Sequence, residues 1–101
     1  MRIIYTDQSI DSLEEAIQFL LKVQGVPLTK VVQIRKILLD KVDSLISNPD
    51  LGQYEEYLAH LDKGHRRLVE GNFKIIYRVE NDCIFITDFF DTRQNPEKMK
   101  K

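Results

Sequence analysis

The sequence predicts an α+β domain in which a strand and two helices precede a three-strand antiparallel meander. The meander is predicted from residues 65–93, where three runs rich in β-branched and aromatic residues are joined by the linkers Gly71-Asn72 and Asn81-Asp82. Gly and Asn tolerate the positive φ that two-residue hairpin turns require. Apolar residues spaced three and four apart within residues 10–46 predict the helices. We expect this helical hairpin to pack on one face of the sheet.

The first two elements are a short strand and an amphipathic helix. Arg2–Thr6 has β-branched and aromatic residues at its centre and is expected to join the same sheet as the meander. Ser9 is a candidate N-cap of the helix, and Ser12 is the alternative. Gly25 and Pro27 are expected to end this helix, since neither residue suits a helix interior.

The second helix is expected to begin directly after Thr29, which can act as its N-cap, and to end before Asn48-Pro49. Residues 51–64 leave two interpretations open, a turn of helix over the edge of the core or an irregular segment leading into the meander. The apolar positions of the second helix form one stripe: Val31, Ile34, Leu38, Val42 and Leu45, broadened by Ile37 and Ile46.

The two-residue turns also predict the register of the meander, because a hairpin with a fixed loop pairs fixed positions. They place Leu68 opposite Ile75, and Arg78 opposite Phe85. Since side chains alternate across a strand, the residues of each face follow directly. The face expected on the core is apolar apart from its ends and carries Arg66, Leu68, Glu70, Phe73, Ile75, Tyr77, Val79, Ile84, Ile86, Asp88 and Phe90.

The opposite face of the sheet, here named the open face, mixes cationic, aromatic and aliphatic side chains. Such a mixture is typical of a surface that another molecule covers. An unpaired carboxylate at Asp88 on the core face would be costly, so Asp88 either pairs with a donor or marks a bulge that shifts the register. The open face is predicted to carry His65, Arg67, Val69, Lys74, Ile76, Arg78, Cys83, Phe85, Thr87, Phe89 and Asp91.

The length of 101 residues suits a single domain, which we place at residues 1–94, followed by a short and partly mobile C-terminal tail at residues 95–101. No apolar run reaches about 18 residues, and no basic-then-apolar leader opens the chain, so we expect a cytoplasmic protein without a membrane span. The single cysteine, Cys83, excludes an internal disulfide and a multi-cysteine zinc site. We expect neither a cofactor nor a metal ion.

The charge of the chain is unevenly distributed. Residues 1–61 carry six basic and nine acidic side chains, whereas residues 62–101 carry nine basic and seven acidic ones. Non-specific nucleic-acid binders usually show a stronger basic bias, so the overall charge does not argue for RNA or DNA. A local basic patch on the open face remains compatible with this balance.

The element order and several stretches together resemble the RelE/ParE superfamily of bacterial toxins from type II toxin–antitoxin modules, which includes plasmid stabilisation proteins. The most specific stretch is Arg66–Tyr77, RRLVEGNFKIIY, and Arg93 followed by Asn95-Pro96 is similar to the family's ending. The resemblance covers nearly the whole chain. It implies a toxin that inhibits growth and forms a hetero-oligomer with a cognate antitoxin protein.

The superfamily uses two mechanisms. RelE-like members cut mRNA on the ribosome without a metal ion, and His65, Arg67, Lys74 and Arg93 match or lie near the cationic positions of that catalytic set. ParE-like members poison DNA gyrase by binding it. Residues 92–101 contain no Tyr or His, although RelE-like enzymes carry one there. The resemblance therefore favours a ParE-like toxin over an mRNA endoribonuclease, and a degenerate non-toxic antitoxin-binding member is a third alternative.

The candidate partner-binding residues are the cations and aromatic side chains of the open face. In adjacent strands, cations can hold a phosphate-rich backbone or an acidic antitoxin segment, and exposed aromatic side chains beside them favour a partner. The ordinary alternative is a solvated, charge-balanced sheet face. The candidates are Arg67, Lys74, Arg78, Phe85 and Phe89.

The remaining titratable residues have ordinary explanations. His65 has the residue type of a general base, but an exposed histidine at a strand start is the commoner case. Glu55 and Glu56 form an acidic pair that we expect on a solvated face, and Cys83 lacks an adjacent base that would activate it.

Overall fold

The computed structural model of residues 1–101 has the predicted order of elements, a strand, two helices and a meander, with one further short strand before the meander. Two short 3₁₀ helices lie outside these elements, at Glu56–Leu61 and Pro96–Lys98. No helix is both long enough and apolar enough to span a bilayer. The main elements are β1 (Arg2–Tyr5), α1 (Asp7–Lys22), α2 (Leu28–Asp43), β2 (Gln53–Tyr54), β3 (Arg66–Glu70), β4 (Phe73–Glu80) and β5 (Cys83–Asp91).

The five strands form one mixed sheet in the order β1-β5-β4-β3-β2. The strand β1 joins β5 in parallel, and the meander β3-β4-β5 is antiparallel. Its predicted register is confirmed between β3 and β4, where Leu68 lies opposite Ile75, and in the first half of β5, where Arg78 lies opposite Phe85. Asn81 and Asp82 both have positive φ, at 51° and 64°, as a two-residue hairpin turn requires.

The helices begin two to three residues earlier than the N-cap candidates Ser9 and Thr29 indicated. The N-cap of α1 is Thr6, whose hydroxyl oxygen accepts a hydrogen bond from the amide of Ser9 at 3.2 Å. Ser9 is therefore inside the helix, and the prediction that it is the N-cap is wrong. The helix α2 starts at Leu28 after Pro27, and no side chain caps it, so the expected role of Thr29 is also wrong.

The helical hairpin packs on one face of the sheet, as predicted. The apolar stripes of α1 and α2 meet the apolar face of the meander in a single core. Ile37 and Ile46, expected to broaden the α2 stripe, instead remain about half exposed. The buried residues of this core are Leu13, Leu20, Val31, Leu38, Val42, Leu45, Leu68, Phe73, Ile75, Tyr77, Ile84, Ile86 and Phe89.

A bulge in β5 reverses the alternation of its second half. The extra residue is Thr87, so that Asp88 lies opposite Ile76, and Phe89 lies opposite Ile75. Phe89 therefore points into the helix-side core, where its side chain is 2 % exposed. The prediction that Phe89 lies on the open face and binds a partner is wrong for this reason.

Tyr77 fixes the loop between α2 and β2 against the sheet. Its buried hydroxyl donates a hydrogen bond to the carbonyl of Pro49 at 2.9 Å and accepts one from the amide of Gly52 at 2.8 Å. A Cβ at position 52 would stand 2.6 Å from the carbonyl oxygen of Arg67 and 2.7 Å from the Tyr77 hydroxyl, so only glycine fits there. This contact sets where β2 and the residues after it lie.

Two segments of the chain cover part of the open face. The 3₁₀ helix Glu56–Leu61, within the stretch that sequence patterns left undecided, and the C-terminal residues 95–101 lie over the sheet. Met99 is only 5 % exposed, so the expectation of a partly mobile tail does not match its packing. These segments close a second, smaller core made of Leu58, Ile76, Phe90 and Met99.

Candidate functional site

Glu55 stands at the centre of the charged part of the open face. Its amide donates a hydrogen bond to the carbonyl of His65 at 2.9 Å, which extends the pairing of β2 with β3. The residue is 3 % exposed, so the expectation of a solvated Glu55 is wrong. Its Oε1 accepts a hydrogen bond from Lys74 Nζ at 2.8 Å, and its Oε2 accepts one from the amide of Tyr57 at 3.2 Å.

Arg67 and Lys74, both candidates for phosphate binding, share the Glu55 carboxylate. Arg67 Nη1 lies 3.6 Å from Glu55 Oε2, and its guanidinium also donates to the carbonyl of Tyr54 and to the side chain of Gln53. The side chains of Arg67 and Lys74 are 20 % and 27 % exposed, respectively. The structure therefore brings these two predicted residues together, but with a counter-charge already bound between them.

Arg78 and Phe85 form a second cluster at the far end of the same face. The Arg78 guanidinium lies 4.6 Å from the centroid of the Phe85 ring, a cation–π arrangement, and its Nη1 pairs with Glu80. Phe85 is partly exposed, so it keeps the accessibility that its predicted partner-binding role requires.

Arg93 is separated from the other catalytic candidates. It forms two side-chain hydrogen bonds with Asp91, from Nε at 2.9 Å and from Nη2 at 2.7 Å. These bonds hold the pKa of the Asp91 carboxyl below its usual range. Arg93 follows the end of β5, whereas His65 precedes β3 at the opposite end of the meander. The four residues proposed for an RNA-cleaving set do not converge on one point.

His65 lies beneath the C-terminal segment instead of on the surface. It is 3 % exposed, and its Nε2 is 3.3 Å from the carbonyl oxygen of Lys101. Burial lowers the pKa of His65, so the ring is neutral at pH 7. The expectation of an exposed histidine is wrong, and Lys101 separates the ring from any substrate on this face.

Asp88 is a buried carboxylate held by the same segment. It is 3 % exposed, and its Oδ2 accepts a hydrogen bond from the amide of Lys100 at 2.9 Å. Burial raises the pKa of Asp88 above its usual range. Both of the alternatives predicted for Asp88 therefore occur together: the strand has a bulge, and a backbone amide donates a hydrogen bond to the carboxylate.

Replacing Asp88 with Asn should raise the melting temperature at pH 7, because Asn keeps the acceptor for the Lys100 amide without a buried charge. A raised pKa in the folded state means that Asp88 favours folding below its unfolded pKa and loses this contribution as pH rises. The gain from Asp88→Asn should therefore shrink as pH falls toward about 4. Thermal unfolding between pH 4 and 8 measures this, with exposed Asp11→Asn as the control. A lower melting temperature for Asp88→Asn at every pH would contradict it.

Two adjoining grooves flank α1 near the end of β5. Their volumes are about 530 Å³ and 280 Å³, and Gln24 and Arg93 line both of them. Apolar walls come from Phe19 in the first groove and Ile37 in the second, both more than 40 % exposed. Such grooves suit an apolar segment of a partner protein.

The residues that sequence patterns missed are Glu55 and Met99. A row of cations on one sheet face indicates that an acidic side chain lies among them, but no residue pattern near Glu55 identifies Glu55 as that side chain. Met99 is buried only because the chain returns to Ile76 and Phe90. The grooves were missed as well, since they depend on how α1 lies against β5.

The family comparison agrees with this architecture. A family model described as "ParE toxin of type II toxin-antitoxin system, parDE" matches residues 3–96, nearly the whole chain. No curated protein matches the sequence significantly. The chain therefore belongs to the ParE toxin family of type II toxin–antitoxin systems, and this membership implies a cognate antitoxin as its partner.

Proposed function

We propose that this toxin acts by binding DNA gyrase and that its cognate antitoxin neutralises it. The observation that favours binding over RNA cleavage is the ion-paired state of the cations on the open face. Lys74 and Arg67 are both held by the buried Glu55 carboxylate, and Arg93 is held by Asp91.

Cleavage of an RNA phosphodiester requires cations aimed at the charge that develops in the transition state. A cation that already shares a carboxylate at 2.8 Å would have to give up that bond before it could stabilise a phosphate. His65, the only imidazole among the candidates, is buried beneath Lys101. The site therefore lacks free cations and an accessible proton carrier, whereas binding a protein requires neither.

The antitoxin is proposed to occupy the grooves beside α1. Their exposed apolar walls include Phe19 and Ile37, which an apolar antitoxin segment would remove from water. The product would be a toxin–antitoxin hetero-oligomer. Because gyrase acts on chromosomal and plasmid DNA, we propose a cytoplasmic growth inhibitor whose module stabilises plasmids.

The gyrase contact is proposed to include the Arg78–Phe85 cluster, with the partly exposed, ion-paired side chains of Arg67 and Lys74 as further contacts on the same face. A partly exposed aromatic side chain stacked under a guanidinium is the kind of group that dominates protein interfaces. Arg78 and Phe85 both stay partly exposed, whereas Ile76 on the same face is covered by Leu58 of the 3₁₀ helix Glu56–Leu61.

The purified chain should inhibit DNA supercoiling by gyrase while leaving mRNA on programmed ribosomes intact. Phe85→Ala should raise the concentration needed for half inhibition about tenfold, the effect of losing one interface residue worth roughly 1.4 kcal/mol. Val79→Ala, a truncation on the opposite face, is the matched control and should leave inhibition unchanged. Ribosome-dependent mRNA cuts without gyrase inhibition would contradict the proposal and establish the endoribonuclease. Inhibition of neither would point to a non-toxic member.

A further inference from the structure

We infer that Glu55 is the residue that keeps single-stranded nucleic acid off the open face. The face has the other components of a single-strand binding surface, namely cations on neighbouring strands, an exposed aromatic ring and a groove. Glu55 supplies a buried negative charge that contacts two of these cations. This inference goes beyond the proposed gyrase contact, because it concerns what the native face excludes.

The cations are already arranged for a phosphate backbone. Lys74 on β4 and Arg67 on β3 lie within 2.8 Å and 3.6 Å of the same carboxylate, so an anion bound at that point contacts both. Both side chains retain partial exposure, at 27 % and 20 %. Phosphate oxygens and carboxylate oxygens compete for such cations through the same charge-assisted hydrogen bonds.

An exposed aromatic side chain and open space adjoin this pair. Tyr57 follows Glu55 by two residues and is 44 % exposed, whereas the neighbouring Tyr54 ring stacks with Arg66 on the other face of the sheet. Nucleic-acid bases stack on exposed rings of this type with little sequence preference. A groove of about 240 Å³ adjoins the ion pair and is lined by Glu55, Tyr57, Lys74 and Phe90. A single strand could therefore reach the cations once the carboxylate is removed.

Glu55 cannot easily move out of the way. Its backbone amide is bound to His65, its Oε2 caps the 3₁₀ helix through Tyr57, and its Oε1 holds Lys74. An approaching phosphate therefore meets both a competing ligand on each cation and a fixed like charge. Glu56, the next residue, also lines this groove, but it is exposed and forms no ion pair, so water screens its charge and that charge should matter much less.

A matched pair of charge-removing variants tests the inference. Glu55→Gln keeps an oxygen that can accept from the Tyr57 amide, and Glu56→Gln removes the same charge from the exposed neighbour. Binding of the purified full chain to a fluorescein-labelled single-stranded oligouridylate is followed by anisotropy at several salt concentrations. We expect Glu55→Gln to bind about tenfold tighter than the native protein, with a salt slope steeper by about 1.4 for two additional phosphate contacts. Glu56→Gln should bind as weakly as the native protein.

Adding Lys74→Gln to Glu55→Gln should remove about half of the change in salt slope, because only the Arg67 contact then remains. Equal binding by Glu55→Gln and Glu56→Gln, or native binding as tight as Glu55→Gln, would overturn the inference. Glu55→Ser, whose hydroxyl can still cap the 3₁₀ helix, is the second variant should Glu55→Gln unfold. Circular dichroism showing that both are unfolded would also overturn it, because Glu55 would then be required for folding. Gyrase inhibition is measured in a separate assay. A chain that does not inhibit gyrase would contradict the proposed function and leave the result of the oligouridylate-binding test unaffected.

Discussion

Replacing Phe89 with alanine is expected to lower the free energy of unfolding by about 3–5 kcal/mol, the usual cost of truncating a buried phenylalanine. The side chain is 2 % exposed and belongs to the core between the helices and the sheet. Its ring also faces that of Tyr5, with centroids 6.4 Å apart and planes nearly parallel. Urea denaturation followed by circular dichroism measures the change.

Phe85→Ala provides the control for this prediction, since it removes the same atoms from the same strand. Phe85 is partly exposed beneath Arg78, so its truncation leaves no sealed cavity and should cost only about 1 kcal/mol. The difference between the two variants depends on the bulge at Thr87. Equal losses, or a larger loss for Phe85→Ala, would mean that β5 keeps regular alternation and that the register is wrong.

Lys74→Ala is expected to lower the free energy of unfolding by about 2–3 kcal/mol. The cost arises because Glu55 would be left buried without its principal partner, and removal of one member of a buried ion pair usually costs about 3–5 kcal/mol. The lower value reflects the 27 % exposure of Lys74 and the nearby Arg67 guanidinium, which still offers partial compensation. Chemical denaturation at neutral pH measures this loss.

The exposed pair Lys36–Asp40 on α2 is the matched comparison. Its Nζ–Oδ2 distance is 2.6 Å, as short as that of the buried pair, but its side chains are 73 % and 60 % exposed. Lys36→Ala should therefore cost much less stability than Lys74→Ala. A double variant with Lys74→Ala and Glu55→Gln should recover part of the loss. Similar losses for Lys36→Ala and Lys74→Ala would contradict the structural role of Glu55.

Sequence patterns were sufficient for the parts of the fold that depend on local chemistry. Positive φ at Gly71, Asn81 and Asp82 follows from their residue types, and the turns then determine the pairing up to Tyr77 opposite Ile86. Helical spacing likewise predicted which face of each helix packs on the sheet.

The second half of β5 could not be predicted because the bulge falls at Thr87, a residue with no special backbone preference. Phe89 and Phe90 are both aromatic, so the sequence is equally compatible with either of them facing the helices. Only Asp88 signalled a conflict, and it left two explanations open. The alternation of side chains along a strand predicts which face of the sheet each residue occupies only up to a bulge. The position of a bulge depends on tertiary packing.

The charged site was only partly predictable for a similar reason. Arg67 and Lys74 were placed on the open face correctly, but their partner Glu55 precedes Lys74 by 19 residues and reaches it through the loop that Tyr77 fixes. Whether a cation is free or paired decides its chemistry, and this information is absent from the pattern of the strands. The C-terminal cover over His65 was hidden from sequence patterns in the same way.

The most direct test of the account is inducible expression of the toxin in bacteria, with DNA and mRNA both examined soon after induction. Binding to gyrase predicts growth arrest with broken chromosomal DNA and intact mRNA. The control variant is Phe85→Ala, because the proposed function includes no catalytic residue that could be removed instead. Since this variant should bind gyrase more weakly, its expression should arrest growth less than expression of the native protein. Growth arrest with ribosome-dependent mRNA cuts and intact DNA would contradict the account.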